Sequence, residues 1–360
     1  MEKRKAAIVT LTVANHGNRL QNLATQWVLE QFGFDTETIH NPYDPSYSEH
    51  KHRVVNMVKY LIGNKRQRMN ARREFSFEQF DRDNIKYSRF WLNNPKHINK
   101  LNDIYDCFVC GSDQLWNPTT LNYGANNFAM FADARKKVTM APSFGVVAFP
   151  KEREEEYRNY LNSFQVLSVR EKSGQDIICR LTGRASSVVI DPTLMISREQ
   201  WEKTAVKPKW LGNEKYILCY VLGDQYMLEW VQGIADKCSC KVINLMDTEN
   251  ERFYCCNPSH FLYLIQHCEL MVTDSFHGSV FTILFDRPLV VMERKDGFTS
   301  MNTRLDNLLS LFKLDDRRSS EVSELKLFQA DYEESYRVLK TKREEAFSFL
   351  RKALVSINEN

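Results

Sequence analysis

Short apolar runs ending in polar, turn-forming residues alternate with segments of helical period along this 360-residue chain. That alternation constrains the fold more than any other feature, because it is the signature of α/β architecture on largely parallel sheets. Strand-like runs fall at 6–13, 104–110, 137–144, 165–170 and 187–190, then at 215–222, 241–246, 270–275 and 288–292. Helical spacing of Leu20, Leu23, Trp27, Val28 and Phe32 predicts a helix from about Asn18 to Phe32, stopped by Gly33. Further helices are expected near 151–163, after Glu171, and at 225–237, 258–267, 278–285 and 305–312. Residues 332–357 carry Tyr336, Leu339, Phe347, Leu350 and Leu354 on one helical face and read as a terminal helix.

The length suits two domains. The Lys-, Pro- and Trp-rich stretch 201–214 reads as a linker, so the expectation is an N-terminal α/β domain over 1–200, a second over 201–331, and the helix 332–360. Each would be a Rossmann-like doubly wound domain, with ligands held at the carboxyl ends of the strands. Hydrophobic residues at 43% and charged residues at 26% are the values of a globular enzyme, and no apolar run reaches a membrane span. The short apolar stretch after Met1-Glu2-Lys3-Arg4-Lys5 runs into Asn15-His16-Gly17 with no cleavage-site pattern, so it reads as a first strand. Nine cysteines without framework spacing point to a reducing, cytoplasmic setting. Cys107 and Cys110 have C-x-x-C spacing, but on a strand they face opposite sides, which favours buried thiols over a redox or metal pair.

Charge is uneven. Residues 51–100 hold 13 Lys and Arg against four Asp and Glu, in a chain of net charge +3. This segment reads as basic helices and loops inserted into the first domain. Two uses fit it: a solvated face, or a patch toward anionic lipid or a diphosphate-linked acceptor. Nucleic acid is disfavoured, because no recognition motif accompanies the charge.

Four segments place polar residues directly after apolar strands. Asn15-His16-Gly17-Asn18-Arg19-Leu20-Gln21 opens the first helix, so Asn15, Gly17, Asn18 and Gln21 either line an anion site or simply cap the helix. Gly111-Ser112-Asp113-Gln114-Leu115-Trp116 offers Asp113 to hydroxyls and Trp116 to a sugar face, or else an Asp-capped turn. Arg170, followed by Glu171 and Lys172, sits at a strand end and suits bidentate capture of carboxylate or phosphate; a plain ion pair also fits. Thr273-Asp274-Ser275-Phe276-His277-Gly278-Ser279 brings Ser275, His277, Gly278 and Ser279 to a helix start, where N–H groups and an imidazole converge on a phosphate. Lys295 and Arg304 add cations further on. Walker, H-E-x-x-H, G-x-S-x-G and G-x-G-x-x-G patterns are absent from the sequence.

In the order and spacing of these segments, with Asp191-Pro192-Thr193-Leu194 and Thr303-Arg304-Leu305-Asp306-Asn307, the chain resembles the polysaccharide pyruvyl transferase family. The resemblance implies a GT-B-like pair of Rossmann-type domains, phosphoenolpyruvate as donor and co-substrate, no cofactor or metal, and a sugar or lipid-linked oligosaccharide as acceptor. It also implies that Arg170, His277 and Lys295 bind the donor. Glu171, Asp113 and His277 remain open as the acid–base group. Two rival readings are a GT-B glycosyltransferase using a nucleotide sugar and a non-catalytic carbohydrate-binding protein.

Overall fold

A computed structural model describes residues 3–42, 47–119, 124–294, 300–355 and 357. The chain divides into two compact units that interleave along the sequence. The first comprises Met1–Lys51, Asp81–Ile196 and Lys340–Asn360; the second comprises His52–Phe80 and Ser197–Leu339. Most of the basic helical stretch, 52–80, thus groups with the second unit. The reason is a set of local bonds: Lys65 and Arg72 pair with Glu249 and Glu251, and the buried Arg73 donates to the Tyr254 carbonyl.

The first unit is built on β1 (Lys5–Val9), β2 (Asp35–His40), β3 (Tyr87–Trp91), β4 (Cys107–Cys110) and β5 (Lys137–Thr139). All pairs are parallel, in the order β3-β2-β1-β4-β5, which is a Rossmann order. β1 and β4 are wholly apolar or small inside (Ala6, Ala7, Ile8, Val9, Phe108, Val109) and fully buried, as central parallel strands must be. Each such large side chain contributes about 1.5–3 kcal/mol. Helix His16–Gln31 returns the chain from β1 to β2. β2 and β3 fall outside the apolar runs read from the sequence. β2 buries Thr36 and Thr38, whose hydroxyls donate to Glu30 and Asn22, so its inward side does not look apolar. β6 (Ser168–Val169) and β7 (Ser187–Val188) form a separate parallel pair. β6 is tied to β5 by hydroxyls, with the Ser168 amide donating to Thr139 Oγ1 at 2.7 Å.

The second unit holds β8 (Tyr216–Tyr220), β9 (Lys241–Asn244), β10 (Leu270–Thr273) and β11 (Leu289–Val291). Again all pairs are parallel, in the order β11-β10-β8-β9, a doubly wound order of flavodoxin type. Its core gathers Ile217, Val231, Leu270, Val272 and Val290. Helix Arg198–Thr204, anchored by the fully buried Trp201 edge-on to Phe281, runs into the start of the stretch expected to be a linker, and 205–215 follows without helix or strand. Helix Glu333–Val355 ends the described fold as expected, and no helix among the described residues is long and apolar enough to cross a membrane. Cys107 and Cys110 are both buried and unbridged, and burial pushes the Cys110 thiol up to about 12.

Candidate active site

Strand order locates the ligand positions. In a doubly wound sheet the crevice opens where the order reverses, outside the strand carboxyl ends. That point lies between β1 and β4 in the first unit and between β8 and β10 in the second.

In the first unit, Val9 pairs with Cys110, so the chain leaving β1 runs beside Gly111-Ser112-Asp113. Asn15 caps helix His16–Gln31 by accepting from the Asn18 amide at 3.3 Å. Gly17, Asn18 and Gln21 are buried in the first turns. The Asn18 side-chain amide donates to Asp113 Oδ2, and Gln21 Nε2 donates to Thr10 Oγ1 at 2.6 Å. Asp113 has φ of 62°, a left-handed conformation that Asp tolerates better than most residues. This turn lets its carboxylate take the Gln114 amide while facing Asn18 and Arg170.

Arg170 leaves β6 with its guanidinium only 3% exposed and three carboxylates around it. Nη1 donates to Asp191 Oδ2 at 2.9 Å, while Asp113 Oδ1 and Glu171 Oε2 each lie at 3.7 Å. Asp191 is fully buried and also accepts from Ser112 Oγ (2.7 Å), the Thr193 amide (3.0 Å) and Thr193 Oγ1 (2.6 Å). Glu171 Oε1 accepts from Ser143 Oγ and the Phe144 amide. Burial raises the Glu171 carboxyl above its ordinary value, opposed by Arg170 and these donors. For Arg170, burial acts downward, and the charges of Asp191, Asp113 and Glu171 outweigh it, so the guanidinium is held more firmly protonated. With every group ionised these four side chains sum to −2, a poor surroundings for a multiply charged anion. The guanidinium therefore ties the ends of β4, β6 and β7 together rather than projecting as an open fork.

Trp116 departs from expectation more sharply. Its ring is fully buried, stacked on Phe128 at 4.8 Å and flanked by Phe144 and Phe164. Its indole N–H donates to the Asn127 carbonyl. It is a core anchor, and no sugar reaches it.

In the second unit, Thr273 pairs with Tyr220, which sets Asp274 beside the turn that follows β8. Asp274 accepts the Leu222 amide (2.7 Å) and the Gly223 amide (2.8 Å), and Arg294 Nε lies 3.6 Å from Oδ2. Burial raises this carboxyl, with the two amides and Arg294 acting against it. Ser275 caps helix Phe276–Leu284 by accepting from the Gly278 amide. Gly278 packs so closely on β10 that a Cβ would meet Thr273 Oγ1 at 2.6 Å, which only glycine avoids. Ser279 is fully buried, and its hydroxyl donates to the Ser275 carbonyl, so it serves the helix. His277 is 5% exposed in the first turn, edge-on to Phe276. Arg304 is buried too, its guanidinium 5.5 Å from the Phe276 ring centre. Arg294 is fixed through its backbone, which exchanges two hydrogen bonds with Asn302 (2.8 and 3.0 Å). Lys295 lies outside the described residues.

The structure thus brings Asn15, Gly17, Asn18, Gln21, Asp113, Arg170 and Glu171 to the first switch point, and Ser275, His277, Gly278 and Arg304 to the second. Sequence reasoning missed Asp191, Ser112, Ser143, Asp274 and Arg294 as members. Asp191-Pro192-Thr193 did stand out in the sequence, and its Asp after a strand-like run was the available signal.

Each doubly wound unit carries a polar cluster at its switch point, where such folds open their ligand crevice. The chain belongs to the polysaccharide pyruvyl transferase family, whose sequence model matches residues 15–296. It is accordingly a transferase of polysaccharide biosynthesis. No curated protein sequence matches the chain. Among solved structures, a putative UDP-N-acetylglucosamine 2-epimerase from Listeria monocytogenes aligns at 12% identity and TM-score 0.43, over 96% of this chain and 98% of that one. The glycosyltransferase SnogD from Streptomyces nogalater aligns at 11% and 0.43, over 98% and 100%. MurG from Acinetobacter baumannii aligns at 10% and 0.42, also over 98% and 100%.

Proposed function

We propose that the chain transfers pyruvate from phosphoenolpyruvate to two hydroxyls of one sugar, forming a cyclic ketal on a surface polysaccharide or its lipid-linked precursor. Family membership supports pyruvyl transfer as the class of reaction. The observation that carries the assignment of sides is the contrast in charge between the two switch points. His277, Arg294 and Arg304 gather near the N-terminal turn of helix Phe276–Leu284, and with Asp274 beside Arg294 the ionised groups still sum to +1 without His277, against −2 at the first switch point, a setting for a small, multiply charged anion. The carboxylates around Arg170 suit neutral hydroxyls instead.

The chemistry balances without a further reactant. A proton adds to the donor's methylene carbon, leaving an oxocarbenium-like C2 that one sugar hydroxyl attacks. The C2–O bond to phosphate then breaks, and the second hydroxyl closes the ketal. Of the two protons lost by the hydroxyls, one balances the new methyl group and the other leaves with phosphate. His277 and the arginines stabilise the departing phosphate, with Lys295 as a further cation for it. Asp113 orients the acceptor hydroxyls, and Arg170 acts as a positioning residue that fixes Asp113, Asp191 and Glu171. Glu171, whose carboxyl burial raises above its ordinary value against the pull of Arg170, is the group we assign as proton source.

The test is phosphate release from phosphoenolpyruvate, screened against glycosyl-diphosphate-lipid analogues, with product mass rising by one pyruvic acid less one water. Turnover that requires a nucleotide sugar and ignores phosphoenolpyruvate would replace this reading with glycosyl transfer. Sugar binding with no phosphate released would leave a binding protein.

A further inference from the structure

The helix Glu49–Ile62 is oriented the opposite way from an ordinary surface helix. Its one buried residue is polar: Asn56, whose side-chain amide lies 2.9 Å from His52 Nε2. Tyr60, one turn on, sits half-buried against Phe75. The apolar residues face outward. Leu61 is 64% exposed and Ile62 81%, while Val54, Val55, Met57 and Val58 are each about half exposed. At about 100° per residue, these six fall on one arc of roughly 160° centred opposite Asn56. Arg53 and Lys59 flank the arc, and Lys51, Arg66 and Arg68 lie exposed near its two ends. Glu49 is the one acidic residue between positions 49 and 73. A contiguous apolar face of this kind marks a contact surface.

We propose that this helix is an interfacial anchor, lying in the plane of an anionic lipid surface with Val54, Val58, Leu61 and Ile62 among the acyl chains and the flanking cations among the headgroups. Charge complementarity chooses the occupant. Pairing with a second copy about a two-fold axis would set like-charged rims against each other, whereas an anionic leaflet meets both the apolar arc and its basic border. The charges of Lys65 and Arg72 are already committed to Glu249 and Glu251, so the cations assigned to lipid are Lys51, Arg53, Lys59, Arg66 and Arg68. The inference concerns where the enzyme works and stands apart from the identity of its substrates.

Sedimentation of the full chain with vesicles tests it, using phosphatidylcholine alone and phosphatidylcholine with about 30% phosphatidylglycerol. Wild-type protein should bind the anionic vesicles at least about tenfold more tightly than the neutral ones. Val58→Asp with Leu61→Asp should lose at least about tenfold in affinity, since both charges would enter the apolar layer. Arg66→Gln with Arg68→Gln, which leaves the apolar arc intact, should lose roughly 10- to 30-fold. Absence of wild-type binding to either vesicle would overturn the proposal. So would unchanged binding by the Val58/Leu61 variant, or a dimer that Leu61→Asp abolishes in a protein that ignores vesicles.

Discussion

Removal of the Arg170 side chain is the perturbation whose outcome the structure specifies most fully. In Arg170→Ala, Asp191 keeps the Ser112 and Thr193 donors but loses its cation, with its side chain still at zero exposure. Asp113 and Glu171 lose theirs at the same moment. Breaking a buried ion cluster by deleting one partner costs about 3–5 kcal/mol, because the remaining charges are stranded away from water. For a unit of this size that is a fall in Tm of roughly 6–20 °C. The sign of the pH response follows. Burial already raises the Glu171 carboxyl against the pull of Arg170, so without the guanidinium Glu171 holds its proton more tightly in the folded state than in the unfolded one, and the variant should regain stability, relative to wild type, as pH falls toward the ordinary carboxyl range. Scanning calorimetry at several pH values reads both effects. Steady-state kinetics below the variant's Tm should show kcat reduced and KM for phosphoenolpyruvate within a few-fold of wild type. An unchanged Tm together with a large rise in donor KM would refute the reasoning and make Arg170 a donor clamp.

Three further expectations concern single sites. His277→Gln should lower kcat/KM for phosphoenolpyruvate by about 100-fold or more while leaving sugar affinity close to normal, measured with each substrate varied in turn. Gly278→Ala should cost about 1–3 kcal/mol in denaturant unfolding, because its methyl group would meet Thr273 Oγ1 at 2.6 Å against the floor of β10. His40, stacked between Tyr87 and Trp91, has its pKa lowered from 6.5 to about 4 by burial. A depressed His contributes stability above its unfolded value and loses it as pH falls through 6.5 toward 4. His40→Phe should remove that part of the acid-side loss, seen as a shallower decline in urea midpoint over the same range.

Legibility in the sequence tracked whether a residue's partners were near it in the chain. β4, β8, β10 and β11 are apolar on both faces and stood out at once. β2 did not, because Thr36 and Thr38 are buried through hydroxyl bonds that no hydropathy pattern registers. β3 hid in a basic stretch, although Ser88 and Phe90 point inward. The switch-point loops were legible as polar residues after strands, and the structure puts them at strand ends. What they touch was not. Arg170 could be placed at the end of its strand, but its bonding partner Asp191 lies 21 residues on, and Asp274 reaches amides 51 and 52 residues earlier. Trp116 shows the same limit in reverse: an aromatic beside a polar turn looks available to a sugar, and only the ring of Phe128, Phe144 and Phe164 around it shows that the space is filled.

The interleaved path of the chain has a consequence for synthesis. The first unit draws on Lys340–Asn360, and that segment is bonded into place: Arg343 Nε donates to the Leu194 carbonyl at 2.6 Å, its Nη2 to the Ile196 carbonyl at 2.7 Å, and Phe347 packs on Phe32. A nascent chain emerging from the ribosome past Ile196 holds the whole first sheet yet lacks the piece that covers these carbonyls. The amino-terminal unit must therefore wait, incompletely closed, until Lys340–Asn360 has been made, so chains that stall before that segment should be its most protease-sensitive and chaperone-dependent form.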